Sequence, residues 1–123
     1  MQTGDDSVPI NSRLFIRDPL IKLNFLVDTG SDVSVIPQRF LRHLPHPSDL
    51  ILYAANNTKI TTYGHKMLEV NLGLARLFKW PFIVANTSKP IIGADFLKKF
   101  GLLVDLKNKL IRDPYSASNI SCK

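Results

Sequence analysis

Residues 25–37 have the sequence FLVDTGSDVSVIP, in which an apolar run leads into Asp28-Thr29-Gly30 and a second apolar run follows. The pattern predicts two strands joined by a loop that presents Asp28 at the end of a buried strand. A carboxylate is costly to bury there unless hydrogen bonds compensate it. Thr29 can fix the loop with its hydroxyl, and Gly30, which lacks Cβ, lets a substrate or a second chain approach the backbone. The same tripeptide also occurs in ordinary turns, so the rest of the chain has to decide between the two interpretations.

The flanking sequence predicts a mainly β domain with one short helix. Short apolar blocks alternate with turn residues from residue 13 onward, which is typical of strands. A helix is predicted over 95–100, because Asp95 can cap its first turn and Gly101 can adopt a left-handed conformation after its last turn. We expect the folded domain to span 13–113, with flexible segments at 1–12 and 114–123, where apolar residues are scarce.

Composition limits the class of protein. The chain has 123 residues, 45% of them hydrophobic, which is enough for one core. Its net charge is +6, and residues 50–123 carry 11 Lys and Arg against 4 Asp and Glu. These cations are mostly isolated, so nucleic acid is not expected as the main partner. No apolar run is long enough to span a membrane, and the start of the chain does not resemble a signal peptide. We therefore expect a cytoplasmic protein without a membrane partner.

The single cysteine, Cys122, cannot form an internal disulfide, so the core must be stable without one. His43 and His46 have the spacing of a metal-binding pair, but Pro45 and Pro47 break the helix that would align them. We expect no metal and no cofactor.

A second segment supports the catalytic interpretation. Residues 90–97, PIIGADFL, place an apolar pair and a glycine before the predicted helix. In order and spacing, 25–37 and 90–97 together resemble the retropepsin family, the aspartic proteases of retroviruses and LTR retrotransposons. RLFI at 13–16, AANNT at 54–58, TYG at 62–64 and GADFL at 93–97 resemble the Ty3/gypsy branch in particular. The resemblance covers about residues 13 to 113.

The resemblance implies an all-β fold, a closed retropepsin-like barrel with one short C-terminal helix, and a catalytic loop formed by Asp28, Thr29 and Gly30. Aspartic proteases use two carboxylates about 3 Å apart that share one proton. This sequence has one Asp-Thr-Gly, so the second carboxylate must come from another copy, in a symmetric homodimer. Thr29 of each chain is expected to hydrogen-bond across the dimer axis, and the segments 14–16 and 103–111 are expected to contribute to the interface.

The expected substrate-binding residues lie in three places. Ser31 is expected to donate a hydrogen bond to the outer oxygen of Asp28, so that Ser31→Ala moves the activity optimum to higher pH. Asp32 matches a family position that binds substrate backbone, although Ala94 replaces the arginine that usually accompanies it. A hairpin over 52–64 is expected to cover the cleft as a flap. The remaining expected contacts are Ala54, Ala55, Asn56 and Asn57 at the flap tip, Ile91 and Ile92 in the cleft, and Val35 and Ile60 in its walls.

These features predict an aspartic endopeptidase that hydrolyses a retrotransposon Gag-Pol polyprotein in the cytoplasm or inside retrotransposon particles. Its partners are a second copy of itself and a peptide substrate. Two alternatives remain open. One is a retropepsin-like dimerisation or peptide-binding module that does not cut, and the other is a basic nucleic-acid-binding domain, whose RNA affinity would depend steeply on salt.

Overall fold

The computed structural model describes residues 13–43 and 45–123, so the segment 1–12, expected to be flexible, lies outside the described residues. Within them the chain is mostly β with one short helix, as predicted. No helix in the described part of the chain is long and apolar enough to cross a membrane. The elements are β1 (Leu14–Asp18), β2 (Leu23–Val27), β3 (Val35–Pro37), a 3₁₀ turn (Gln38–Phe40), β4 (Ile51–Tyr53), β5 (Lys59–Val70), β6 (Phe78–Ala85), β7 (Ile91–Ile92), α1 (Ala94–Phe100), β8 (Leu103–Asp105), β9 (Leu110–Asp113) and β10 (Ser118–Ser121).

Seven strands form one sheet in the order β1-β2-β7-β3-β6-β5-β4. The prediction of a closed barrel is wrong, because β1 and β4 are the two edges of this sheet and do not pair with each other. The outer edge of β1 is occupied instead by the last residue, since the backbones of Phe15 and Lys123 exchange two hydrogen bonds of 2.8 and 2.9 Å. The short strand β7 lies between β2 and β3, directly behind the loop that follows β2.

An aromatic cluster joins helix α1 to strand β6. Phe96 and Phe100 on the helix contact Phe78 and Trp80 on the strand, with ring centroids 4.9–5.9 Å apart. Three of the four ring pairs are edge-to-face and one is tilted, and such contacts add to the burial of apolar area. The helix ends at Phe100, and the φ of 66° at Gly101 confirms the predicted left-handed residue after its last turn. The cluster therefore fixes the helix that follows the second motif.

The C-terminal segment is ordered into a second sheet, so the prediction of a flexible tail at 114–123 is wrong. Strand β10 pairs with β9, and β9 pairs with β8. Ile120 packs against the main core, and Cys122 is buried in it. The physical reason is that these two apolar side chains recur at period two among polar neighbours, the pattern of a strand with one buried face. The folded domain thus continues to the last residue.

A buried ion pair ties this second sheet to the rest of the domain. Asp113 is fully buried and accepts hydrogen bonds of 2.8 and 3.1 Å from the guanidinium of Arg76. Arg76 also donates to the carbonyl of Phe100 and stacks on the ring of Tyr115. The hydrogen bond from Arg76, together with those from Ser116 and the Tyr115 amide, holds the pKa of Asp113 below its usual range despite burial.

We predict that Arg76→Met lowers the free energy of unfolding by about 3 kcal/mol, because it leaves the carboxylate of Asp113 buried without a cation. A depressed folded-state pKa contributes stability that is present above the unfolded carboxyl pKa of about 3.9 and is lost as pH falls through the folded value. The difference between wild type and variant in urea unfolding should therefore shrink below about pH 4. Arg112→Met is the control. Arg112 and Asp105 form a more exposed ion pair, so this variant should lose much less free energy of unfolding. An equal loss in both variants would contradict the prediction.

Candidate active site

The loop after β2 presents the carboxylate of Asp28 at the surface. The amide of Asp28 donates to the carbonyl of Ile92 at 2.9 Å, and its carbonyl accepts from the amide of Ser31 at 3.1 Å. The side-chain oxygen Oδ1 accepts from the amide of Gly30 at 3.0 Å. Backbone contacts therefore fix both the main chain and the side chain of Asp28, while the residue stays partly exposed.

The other two residues of the predicted catalytic loop, Thr29 and Gly30, are exposed. Thr29 lines a shallow groove of about 410 Å³ together with α1 and the start of β8. Leu103 lines the same groove and is 54% exposed, which is high for an apolar side chain. The loop thus lies beside an apolar surface on its own chain.

Strand β7 supports the loop from behind. It pairs in parallel with β2, so that Ile91 is opposite Leu26, and in antiparallel with β3 through Val35. Gly93 follows directly, and a Cβ there would lie 2.7 Å from the carbonyl oxygen of Ser31 and closer still to that of Val33. Only glycine permits this contact between the two motifs.

Two side chains cross-link the motifs, and sequence reasoning missed one of them. Ser34 is fully buried, and its hydroxyl donates to Asp95 Oδ1 at 2.6 Å and accepts from the amide of Gly93 at 2.8 Å. Asp95 accepts from the amide of Phe96 in the first turn of the helix, although the N-cap residue is Gly93, and it also accepts from Ser34. The sequence feature that could have indicated the role of Ser34 is its position as the one hydroxyl residue within the apolar run 33–36.

The expected contact between Ser31 and Asp28 is absent. The hydroxyl of Ser31 donates to the carbonyl of Val33 at 2.8 Å, and its single proton is therefore not directed at the carboxylate. The pH shift expected for Ser31→Ala loses its basis. Asp32 is exposed and forms no ion pair within 13–43 and 45–123.

The predicted flap is a hairpin of β4 with the start of β5, in which Leu52 pairs with Ile60. Its turn is closed by the amide of Ala54, which donates to the carbonyl of Thr58 at 2.9 Å. Asn57 has a φ of 65°, a left-handed conformation that asparagine tolerates in turns. Ala55, Asn56 and Asn57 are exposed, and Ala54 is partly buried.

An apolar cluster lies beneath the flap. Its buried members are Val35, Ile83 and Ala85, and the partly buried side chains around them are Val33, Leu52, Ile60 and Ile91. Three residues expected in the cleft and its walls, Val35, Ile60 and Ile91, therefore meet here. The assignment of Ile92 to the cleft is wrong, because Ile92 is fully buried in the main core, its side chain pointing to the other face of β7.

Within the described residues the chain presents some of the features that the resemblance implied. These features are the partly exposed carboxylate of Asp28, the hairpin at the position of the predicted flap and the apolar cluster beneath it. Within the described residues the Asp28 side chain accepts its one hydrogen bond from the amide of Gly30. No group of three or more potential metal ligands occurs in that part of the chain. The arrangement suits chemistry completed by a second, identical loop.

Comparisons with known proteins agree with this geometry. The fold is similar to the retroviral protease-like domain of Ddi1 from Leishmania major, with a TM-score of 0.69 and 19% identity over 90% of this chain and 94% of that chain. It is also similar to EIAV protease complexed with the inhibitor HBY-793, with a TM-score of 0.54 and 20% identity over 82% of this chain and 95% of that one. At these identities the similarity shows the fold alone. No match is found among curated proteins.

The sequence itself matches a family over residues 21–99, which is more than half of the chain. The matched range begins just before β2 and ends within α1, so it includes the predicted catalytic loop, the predicted flap and β7. The chain therefore belongs to the gag-polyprotein putative aspartyl protease family.

Proposed function

We propose that this chain is an aspartic endopeptidase that acts as a homodimer, with Asp28 of each copy contributing one catalytic carboxylate. The observation that carries the proposal is the placement of Asp28, partly exposed on a loop whose backbone is fixed by Ile92 and whose side chain is fixed by Gly30. A carboxylate held in this way can face its symmetry mate without reorganising.

The proposed mechanism uses the two carboxylates in different protonation states. Like charges about 3 Å apart cannot both ionise, so the pair holds one proton in common. The ionised Asp28 takes a proton from a water molecule, which attacks the scissile carbonyl, while the protonated Asp28 hydrogen-bonds the carbonyl oxygen. A proton then passes from the pair to the leaving amine, and the carbon–nitrogen bond breaks.

The exposed groove beside the loop supports the proposed dimer. Thr29 and Leu103 line it together, so a surface that buries Leu103 would also bring the two loops together. Isologous contact about a twofold axis places the same residues opposite one another. Burial of a fully exposed leucine contributes about 1.5–3 kcal/mol, so burial of Leu103, which is 54% exposed, would contribute roughly half of this.

The apolar cluster beneath the flap supports a preference for apolar side chains next to the cut bond. Leu52 and Ile60 face it from the flap, and Ile91 faces it from β7. These walls offer an apolar substrate side chain a place to leave water.

The proposed natural substrate is the Gag-Pol polyprotein of a Ty3/gypsy-type retrotransposon, cut in the cytoplasm or within particles of the element. The description of the family and the resemblance of segments such as 54–58 and 93–97 support it. The alternative is a dimer that binds peptides without cutting them. Similarity of fold to a protease-like domain as well as to a protease is compatible with either function.

We predict that the wild-type chain cleaves members of a peptide library at about pH 4–7 and that Asp28→Asn abolishes the cleavage, because an amide cannot serve as the general base. Pepstatin should inhibit the wild type. Binding of library peptides to both forms, without cleavage by either, would support the non-cutting module instead. Circular dichroism provides the control that the variant is folded.

We predict that Leu103→Glu lowers dimer content and cleavage together, because charge would be forced into the proposed interface. The fold should persist, since Leu103 is 54% exposed in the single chain. Leu77→Glu is the matched control, at 56% exposure and outside the groove. Sedimentation velocity measures dimer content. A Leu103→Glu chain that remains fully dimeric would contradict the proposed interface.

A further inference from the structure

We propose that Ser34 is a positioning residue that sets the place of Asp28 through the segment 92–95, a role that rests on the proposed protease function. Ser34 does not touch the catalytic carboxylate. It acts through the backbone of the residues that hold the catalytic loop.

The side-chain hydroxyl and the backbone amide of Ser34 both form hydrogen bonds. Its hydroxyl donates to Asp95 at 2.6 Å and accepts from the amide of Gly93 at 2.8 Å, and its own amide donates to the other oxygen of Asp95 at 3.1 Å. The residue is 0% exposed. A hydroxyl has one proton to donate, so this geometry fixes its rotamer and the distance between β3 and the start of α1.

The segment fixed by Ser34 holds the catalytic loop at two points. The carbonyl of Ile92 accepts from the amide of Asp28 at 2.9 Å, and the amide of Ala94 donates to the carbonyl of Ser31 at 2.7 Å. These two bonds bracket Thr29 and Gly30. A shift of 92–95 would therefore move the loop as a unit.

The packing around Gly93 makes such a shift the expected result of losing the hydroxyl. Gly93 lies against the carbonyls of Ser31 and Val33 with no room for a Cβ. Removing the Ser34 hydroxyl leaves the buried amide of Gly93 without its acceptor, and an unsatisfied buried amide is costly. The segment is expected to relax toward another acceptor and to carry the loop with it.

The carboxylate of Asp95 has a specific part in this network. Its two oxygens accept from the amide and hydroxyl of Ser34 and from the amide of Phe96, so all the bonds described point toward the carboxylate. An asparagine offers one carbonyl oxygen and would turn its NH₂ group toward a donor of Ser34. Asp95→Asn therefore tests the same network without changing the volume of the side chain.

Catalysis by a shared proton is sensitive to such shifts. A misplacement of about 1 Å costs on the order of 100-fold in rate. Because the apolar cluster beneath the flap is built from other residues, loss of Ser34 is expected to affect turnover more than substrate binding.

The test compares steady-state cleavage by wild type, Ser34→Ala, Ser34→Thr and Ser116→Ala at concentrations where each is dimeric by sedimentation. We expect kcat to fall about tenfold or more in Ser34→Ala with KM within about twofold, and Ser34→Thr to recover most of the loss because it retains the hydroxyl. Ser116→Ala is the matched control. It removes a serine-to-aspartate hydrogen bond of 2.7 Å to Asp113, far from the catalytic loop in sequence and in contacts.

Each outcome decides between the hypotheses. If wild type cleaves and Ser34→Ala keeps kcat within about threefold, or if Ser116→Ala loses as much as Ser34→Ala, the positioning role is overturned. If wild type and Asp28→Asn are equally inert, the proposed function fails, independently of Ser34. If Ser34→Ala does not fold, Asp95→Asn replaces it in the test, and its kcat is judged by the same thresholds. A double variant no slower than the slower single variant would place both residues in one unit.

Discussion

The structure depends on the parallel pairing of β2 with β7, which ends in the hydrogen bond between the amide of Asp28 and the carbonyl of Ile92. This contact places a carboxylate at the end of a buried strand without burying it. The glycine that follows Ile92 allows the next segment to lie against the catalytic loop. The buried hydroxyl of Ser34 then fixes that segment to β3. The sheet topology, the close packing at Gly93 and the hydrogen-bond network of Ser34 therefore together fix the position of the Asp28 side chain.

The same constraint explains why the proposed chemistry needs two chains. The loop is fixed, exposed and beside an apolar groove, and the flap covers an apolar floor that belongs to one chain. Within residues 13–43 and 45–123 the Asp28 carboxylate accepts its one hydrogen bond from the amide of Gly30, whereas the proposed mechanism needs a second carboxyl group that shares a proton with it. In a symmetric dimer a second copy of the same chain supplies the second carboxylate. The proposed catalysis then depends on the affinity between the copies.

The parts of the fold that local chemistry determines could be predicted from the sequence. The loop at 28–30, the helix ended by Gly101 and the positive φ of Asn57 all follow from short-range rules. The parts that were missed depend on contacts between distant segments. Ile120 and Cys122 lie on or beside β10, which pairs with β9, and the edge of β1 bonds to the backbone of Lys123 instead of pairing with β4. The partners of Ser31 and Ser34 likewise depend on how β3 meets β7, which no local pattern reveals.

The most direct measurement of the central claim is a subunit-mixing experiment. Wild-type chains at fixed concentration are mixed with increasing amounts of Asp28→Asn chains, allowed to exchange, and assayed for peptide cleavage. If each active site needs one carboxylate from each copy, random pairing predicts that an equal amount of variant reduces the rate to about one half and a ninefold excess reduces it to about one tenth. A cleavage rate that stays constant across the whole series would show that one chain cuts alone, and would contradict the account.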